Sequence, residues 1–174
     1  MSEDIFQTYY EITNKLYRKI KIKGIPGSGK TFLASKLAED EVENQKKVLF
    51  MCYNKLLGEK LEQDFNTFEN IEVIIFEDFI AGLGITYDDE LMIDGKEVLL
   101  RDTSKQHETD YIMEKLNSTL EEADGKYNFD TLIIDEAQDF SPKYWSFFSE
   151  LVRAKDAKWV IFYDSNQNIT HNNW

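Results

Sequence analysis

A single cysteine, Cys52, stands in a chain of 174 residues. A lone thiol cannot form an internal disulfide, which fits a reducing cytosol. Its setting, the apolar run "VLFMCYN", marks it as a small buried residue. Histidine is nearly as scarce. His107 and His171 have no partners at metal-ligand spacing and read as surface residues. No apolar run is long enough to span a bilayer, so no membrane partner is expected. The opening "MSEDIFQTYY" is acidic and aromatic, which is not the pattern of a signal peptide, and a cytoplasmic location is expected. The sequence has no internal repeat and no low-complexity tract. Basic residues are outnumbered, 20 against 33 acidic ones, for a net charge of −13. Most of this imbalance lies between residues 86 and 125, where 12 acids face 4 bases. A solvated acidic face of this kind repels phosphate backbones.

What remains is a globular composition of single-domain size. Hydrophobic residues make up 42% of the chain, with 3 Trp, 9 Tyr and 12 Phe, enough for a sizeable core. Strand and helix patterns alternate. "KIKIKGI" reads as a strand, and 31–44 as a helix. "KVLFMCYN" is a continuous apolar strand of the kind buried on both faces. Residues 55–68 read as a helix with Leu56, Leu57, Leu61 and Phe65 on one face. "IEVIIF" is a further strand. "DTLIIDEAQDF" begins as a strand and turns acidic. "SPKYWSFFSELVRA" is a helix with Ser141 at the N-cap and Pro142 in its first turn. "KWVIFYD" is the last strand. This alternation predicts an α/β fold with a mainly parallel sheet and helices on both faces, and ligands then bind at the carboxyl ends of the strands. The polar stretch 86–127 breaks the rhythm and reads as an acidic insertion.

Two motifs carry chemistry. "GIPGSGKT", Gly24 to Thr31, fits the G-x-x-x-x-G-K-[ST] loop in full, between a strand and a helix. Gly24, Gly27 and Gly29 let the backbone curl so that successive N–H groups, with Ser28 among the binding residues, point at phosphate oxygens. The following helix aims its N-terminal dipole at the same place. Lys30 would reach the β and γ phosphates of a nucleotide, and the Thr31 hydroxyl would bind Mg²⁺. "LIIDEAQDF" supplies the acids at a strand end. Asp135 would hold Mg²⁺ through water, and Glu136 would orient or deprotonate the attacking water. Buried without a partner, two adjacent acids would cost several kcal/mol, a cost that a metal resolves. Asp139 is either an N-cap for the next helix or part of the site. The aromatics Tyr144, Trp145, Phe147 and Phe148 read as helix packing.

Together "GIPGSGKT", "LIIDEAQDF" and "VIFYDSNQNI" resemble superfamily 1 helicases of the UvrD/Rep type: Walker A, the D-E-x-Q form of Walker B, and the third motif. The resemblance covers essentially the whole chain and implies a RecA-like ATP-binding motor domain over 1–174. It implies ATP and Mg²⁺ as ligands, with Lys30, Glu136 and Gln167 as catalytic residues and Thr31 and Asp135 at the metal. Gln138 matches the glutamine that helps couple nucleotide to the DNA side, and Gln167 matches the γ-phosphate sensor. Gln7 lies where the family places an adenine-reading glutamine. "CYNKLLGEKL" resembles the strand-two motif with its Asn54–Lys55 pair, though Tyr53 replaces a threonine. "IIFEDFIAGL" resembles the T-F-H segment near single-stranded DNA, with Ile75 and Glu77 in place of Thr and His. Tyr163 and Thr170 replace the third motif's glycine and tyrosine.

The resemblance thus implies a motor that hydrolyses ATP and moves on or unwinds single-stranded DNA or RNA. Binding of nucleic acid by this chain alone is expected to be weak. A second expectation is that the chain is a fragment that lacks the C-terminal motor domain and its arginines, and is weakly active or inactive alone. The alternative is a nucleotide-binding switch or regulatory module with little turnover. A P-loop kinase needs no water-activating acid, which Glu136 argues against, and the L-S-G-G-Q signature of ABC-type ATPases is absent from the sequence.

Overall fold

A computed structural model of the chain describes residues 18–82, 85–88, 90–93, 96–97, 112–119, 128–142, 144–152 and 157–164. The strands are β1 (Lys19–Gly24), β2 (Val48–Cys52), β3 (Ile71–Ile75), β4 (Ile85–Asp88), β5 (Glu90–Ile93), β6 (Lys96–Glu97), β7 (Thr131–Ile134) and β8 (Lys158–Asp164). The helices are α1 (Lys30–Glu43), α2 (Lys55–Asp64), α3 (Phe76–Gly82), α4 (112–119) and α5 (Tyr144–Glu150). Five strands form one parallel sheet in the order β1-β8-β7-β2-β3. Strands β4, β5 and β6 form a separate antiparallel meander.

The apolar strand runs are explained by burial on both faces. All five residues of β2 are buried. Val48, Phe50 and Cys52 pack toward α1 and α2, together with Ile133 of β7 and Val160 and Phe162 of β8. Leu49 and Met51 point the other way, with Leu132, Ile134, Trp159 and Ile161, against α3, α4 and α5. The period-2 alternation of side chains thus feeds two cores from one sheet. The architecture is an α/β domain with a five-stranded parallel sheet and helices on both faces, as the alternation predicts.

Helix α1 is closed at its end by a Schellman-type arrangement. Lys46 N donates to Glu41 O at 3.0 Å and Gln45 N to Val42 O at 2.9 Å, with Gln45 itself left-handed at φ 62°. That closure fixes the length of the helix whose other end carries the phosphate loop.

Several local expectations change. Helix α2 stops at Asp64 rather than 68, and Leu56 is 78% exposed while Gly58 takes a place on the buried side. A helix turns about 100° per residue, so Leu57, Leu61 and Phe65 share a stripe that Leu56 leaves. A Cβ on Gly58 would lie 2.1 Å from Ile75 Cγ1, so only glycine lets α2 approach β3 this closely. Phe76 ends no strand. It begins α3 and is buried among Tyr53, Phe140, Tyr144 and Phe148. Helix α5 is shorter at both ends than expected, and at its carboxyl end Val152 bridges Phe129 instead of continuing the helix. Its aromatics Tyr144, Trp145, Phe147 and Phe148 are buried, as read from the sequence. Within the 86–127 stretch, Ile112 and Leu116 of α4 are buried in the main core, so this part is not a solvated appendage.

Candidate nucleotide site

The phosphate loop connects β1 to α1. Its turn closes with Ser28 N donating to Ile25 O at 3.2 Å. Gly27 and Gly29 have φ of 73° and 89°, the left-handed region where a side chain costs energy. Gly29 is the N-cap of α1 and brings no side chain to its first N–H groups. Those groups are left facing the loop, where the helix dipole is positive. A Cβ on Gly24 would stand 2.6 Å from Ser28 Oγ and 3.1 Å from Lys30 Cγ. Lys30 is 7% exposed, with Nζ at 3.4 Å from the carbonyls of Gly24 and Ile25. A buried cation inside a curl of backbone donors is chemistry suited to a chain of phosphates.

Beside the loop, β7 ends in the acids. Asp135 is fully buried, and its Oδ2 accepts a hydrogen bond from Thr31 Oγ1 at 2.6 Å. Its Oδ1 accepts from Glu136 N at 3.0 Å. Burial pushes the Asp135 carboxyl above the usual carboxylate range, and the neighbouring Glu136 adds to this, while the Thr31 bond and Lys30 oppose it. A hydroxyl and a carboxylate this close form a hard oxygen donor pair, and a divalent cation there would relieve the buried charge. The donor set therefore fits Mg²⁺.

Glu136 has φ 51°, an uncommon conformation for a non-glycine residue. Its carboxylate Oε2 accepts from Gln138 Nε2 at 2.6 Å. Gln138 Oε1 in turn accepts from Asp164 N at 3.0 Å, at the tip of β8. One side-chain amide therefore ties the acid after β7 to the end of the next strand in the sheet. Sequence reading missed this link. Asp139 ends the 3₁₀ turn Ala137–Asp139, and the next helix begins only at Tyr144, so it is no N-cap. Burial, then Glu136, raises its carboxyl above the ordinary value.

Gly24, Gly27, Ser28, Gly29, Lys30, Thr31, Asp135, Glu136 and Gln138 thus gather at the carboxyl ends of β1, β7 and β8. Gln7, Gln167, His107, Thr170 and His171 lie outside the described residues. Asn54 caps α2, its Oδ1 accepting from Leu57 N at 3.1 Å, a role readable from an asparagine directly ahead of a helical pattern. Lys55 pairs with Asp78 at 3.1 Å, and that hydrogen bond raises its pKa. Tyr53 packs edge-on to Phe140 at 5.6 Å, and Glu77 is exposed on α3. Among the described residues, no cluster of His, Cys, Asp and Glu forms a separate metal site, and no helix is long and apolar enough to cross a membrane.

The family model described as "Type III restriction enzyme, res subunit" matches residues 3–161. The chain belongs to this family. The res-subunit family is helicase-like, and its match takes in the phosphate loop, the β7 acids and most of β8. No curated protein matches the chain. Among solved structures, one chain from "Structural Basis for DNA Unwinding at Forked dsDNA by two coordinating Pif1 helicases" is similar at 18% identity, with a TM-score of 0.46 over 94% of this chain. This res-subunit relative spans 33% of that chain's length.

Proposed function

We propose that this helicase-like domain is an ATP-binding, Mg²⁺-dependent motor domain, of the UvrD/Rep type that its three motifs resemble. The observation that carries the reading is the 2.6 Å bond from Thr31 Oγ1 to Asp135 Oδ2, which joins the phosphate loop to the acidic strand end. The loop N–H groups and Lys30 bind the phosphates. Thr31 and Asp135 hold the metal. When bound, magnesium neutralises charge on the phosphate oxygens. Glu136 takes the proton of the attacking water, with its carboxylate aimed by Gln138. Gln167 senses the γ-phosphate, and Gln7 reads the base. In this reading the domain covers 1–174 with 86–127 inserted, and it acts with a second motor domain on single-stranded DNA or RNA.

The test is calorimetry of MgATP on the parent and on Lys30→Ala. The substitution removes a buried charge-assisted contact, and affinity is expected to fall at least about tenfold. Equal affinity of the two proteins would overturn the reading. ATP turnover measured with and without a single strand separates a motor from a nucleotide-binding switch. Turnover that never rises with any strand, in a protein carrying both motor domains, selects the switch.

A further inference from the structure

A cleft runs along β3, at the opposite edge of the sheet from β1 and its phosphate loop. Its volume is about 310 Å³, and Val73, Ile74, Ile75 and Phe79 line it, under a rim of Glu59, Glu62 and Asp78. Helix α2 covers one face of the sheet and α3 the other. A cleft that touches both helices and three consecutive strand residues must run along the strand's edge rather than over a face. β3 pairs with β2 on one side, and among the described residues no strand pairs with its other side. An edge strand presents unpaired N–H and C=O groups, which proteins usually blunt with lysine, proline or a bulge. The sequence of β3, "IEVII", contains neither lysine nor proline, and its one charge, the exposed Glu72, is acidic like the rim.

Charge selects the occupant. Lys55, the one cation on the rim among the described residues, is paired with Asp78, which leaves Glu59 and Glu62 to set the sign. Nucleic acid is repelled by these acids. A second copy of the chain is repelled too, since each carries a net −13. We propose that the β3 edge receives an extended, basic polypeptide segment, added as a sixth strand of the sheet. Main-chain bonds to the edge give the affinity, and lysine or arginine side chains on the added strand meet Glu59 and Glu62. Apolar side chains of that strand enter the slot between α2 and α3 against Phe79.

Amide exchange by NMR on the 1–174 chain tests this. The probes are an eight-residue peptide alternating valine and lysine, the same peptide with alternate backbone nitrogens methylated, and a valine–glutamate version. The first is expected to slow exchange at the amides of Ile71–Ile75 that face away from β2 by about tenfold or more at saturation. The methylated peptide keeps its charges but cannot pair, and is expected to give no such protection. Glu59→Lys combined with Glu62→Lys alters two exposed residues and is expected to weaken the first peptide about tenfold. Equal effects of the methylated and unmethylated peptides would reduce the site to plain charge attraction and overturn the proposal. So would the absence of binding up to about 1 mM, or protection of β3 by a single-stranded oligonucleotide instead.

Discussion

Helix α1 is stapled to the sheet at both ends, and the two staples differ in kind. At the amino end of the strands, Glu41 accepts from Thr131 Oγ1 at 2.7 Å and pairs with Lys158 at 2.5 Å. Its charge is matched, and each carboxylate oxygen has a partner. At the carboxyl end, Thr31 meets Asp135, but there Glu136 adds its charge to both Asp135 and Asp139, Lys30 offsets it at Asp135, and Glu136 sits in a left-handed conformation. The two networks lie at opposite ends of the same α1–β7 contact. The matched one adds rigidity. The mismatched one gathers like charges around a left-handed residue, an arrangement that folding alone would not select and that agrees with the proposed catalytic role. The contrast also separates roles that sequence cannot, because both ends present acids beside α1.

The comparison can be broken in three ways. The largest expected effect is on turnover. In the proposed mechanism Glu136→Gln removes the proton acceptor but keeps the hydrogen bonding, so hydrolysis is expected to fall about 10²- to 10⁴-fold with ATP affinity little changed. Equal losses in both would give Glu136 a binding role instead. Next is Lys158→Ala, which strands a mostly buried Glu41. Unfolding by urea is expected to show a loss of about 3 kcal/mol with nucleotide affinity unchanged. A drop in ATP affinity as large as the drop in stability would show that the amino-end staple serves the site. The smallest is Asp135→Asn. Removing a buried charge at the mismatched end is expected to raise the stability of the nucleotide-free protein by up to about 1 kcal/mol while Mg²⁺-dependent nucleotide binding is lost. A fall in thermal midpoint would show that this carboxylate supports the fold as Glu41 does.

The phosphate loop, α1, β2 and β8 were legible because their signals are local. A complete loop pattern and continuous apolar runs need no distant partner to be read. The edges of α2 and α5 were not, since a helix ends where tertiary contacts outbid its own periodicity, as at the Phe129–Val152 bridge. The exposure of Leu56 and the burial of Gly58 depend on how closely α2 meets Ile75, which no window of the sequence encodes. Glu41 and Lys158 are 117 residues apart, and the bond from Gln138 to Asp164 spans 26, so the amino-end staple and the β7–β8 tie appear only in three dimensions. Helix α4 was hidden by its acidic surroundings, although Ile112 and Leu116, four apart, mark its buried stripe.

Cys52 ends β2, the neighbour of β7 in the sheet, with its thiol donating to Asn54 O at 3.7 Å. Burial first, then Asp135 and Glu62, push its pKa up to about 12, so the nucleophilic thiolate is scarce in the folded state. As the chain's one cysteine, it is a built-in chemical clock. A thiol reagent can mark it only when the end of β2 opens to solvent, and the rate of labelling then reports how often the sheet breathes beside the nucleotide site. Ligands that close the cleft would slow that clock, and no probe need be engineered to read it.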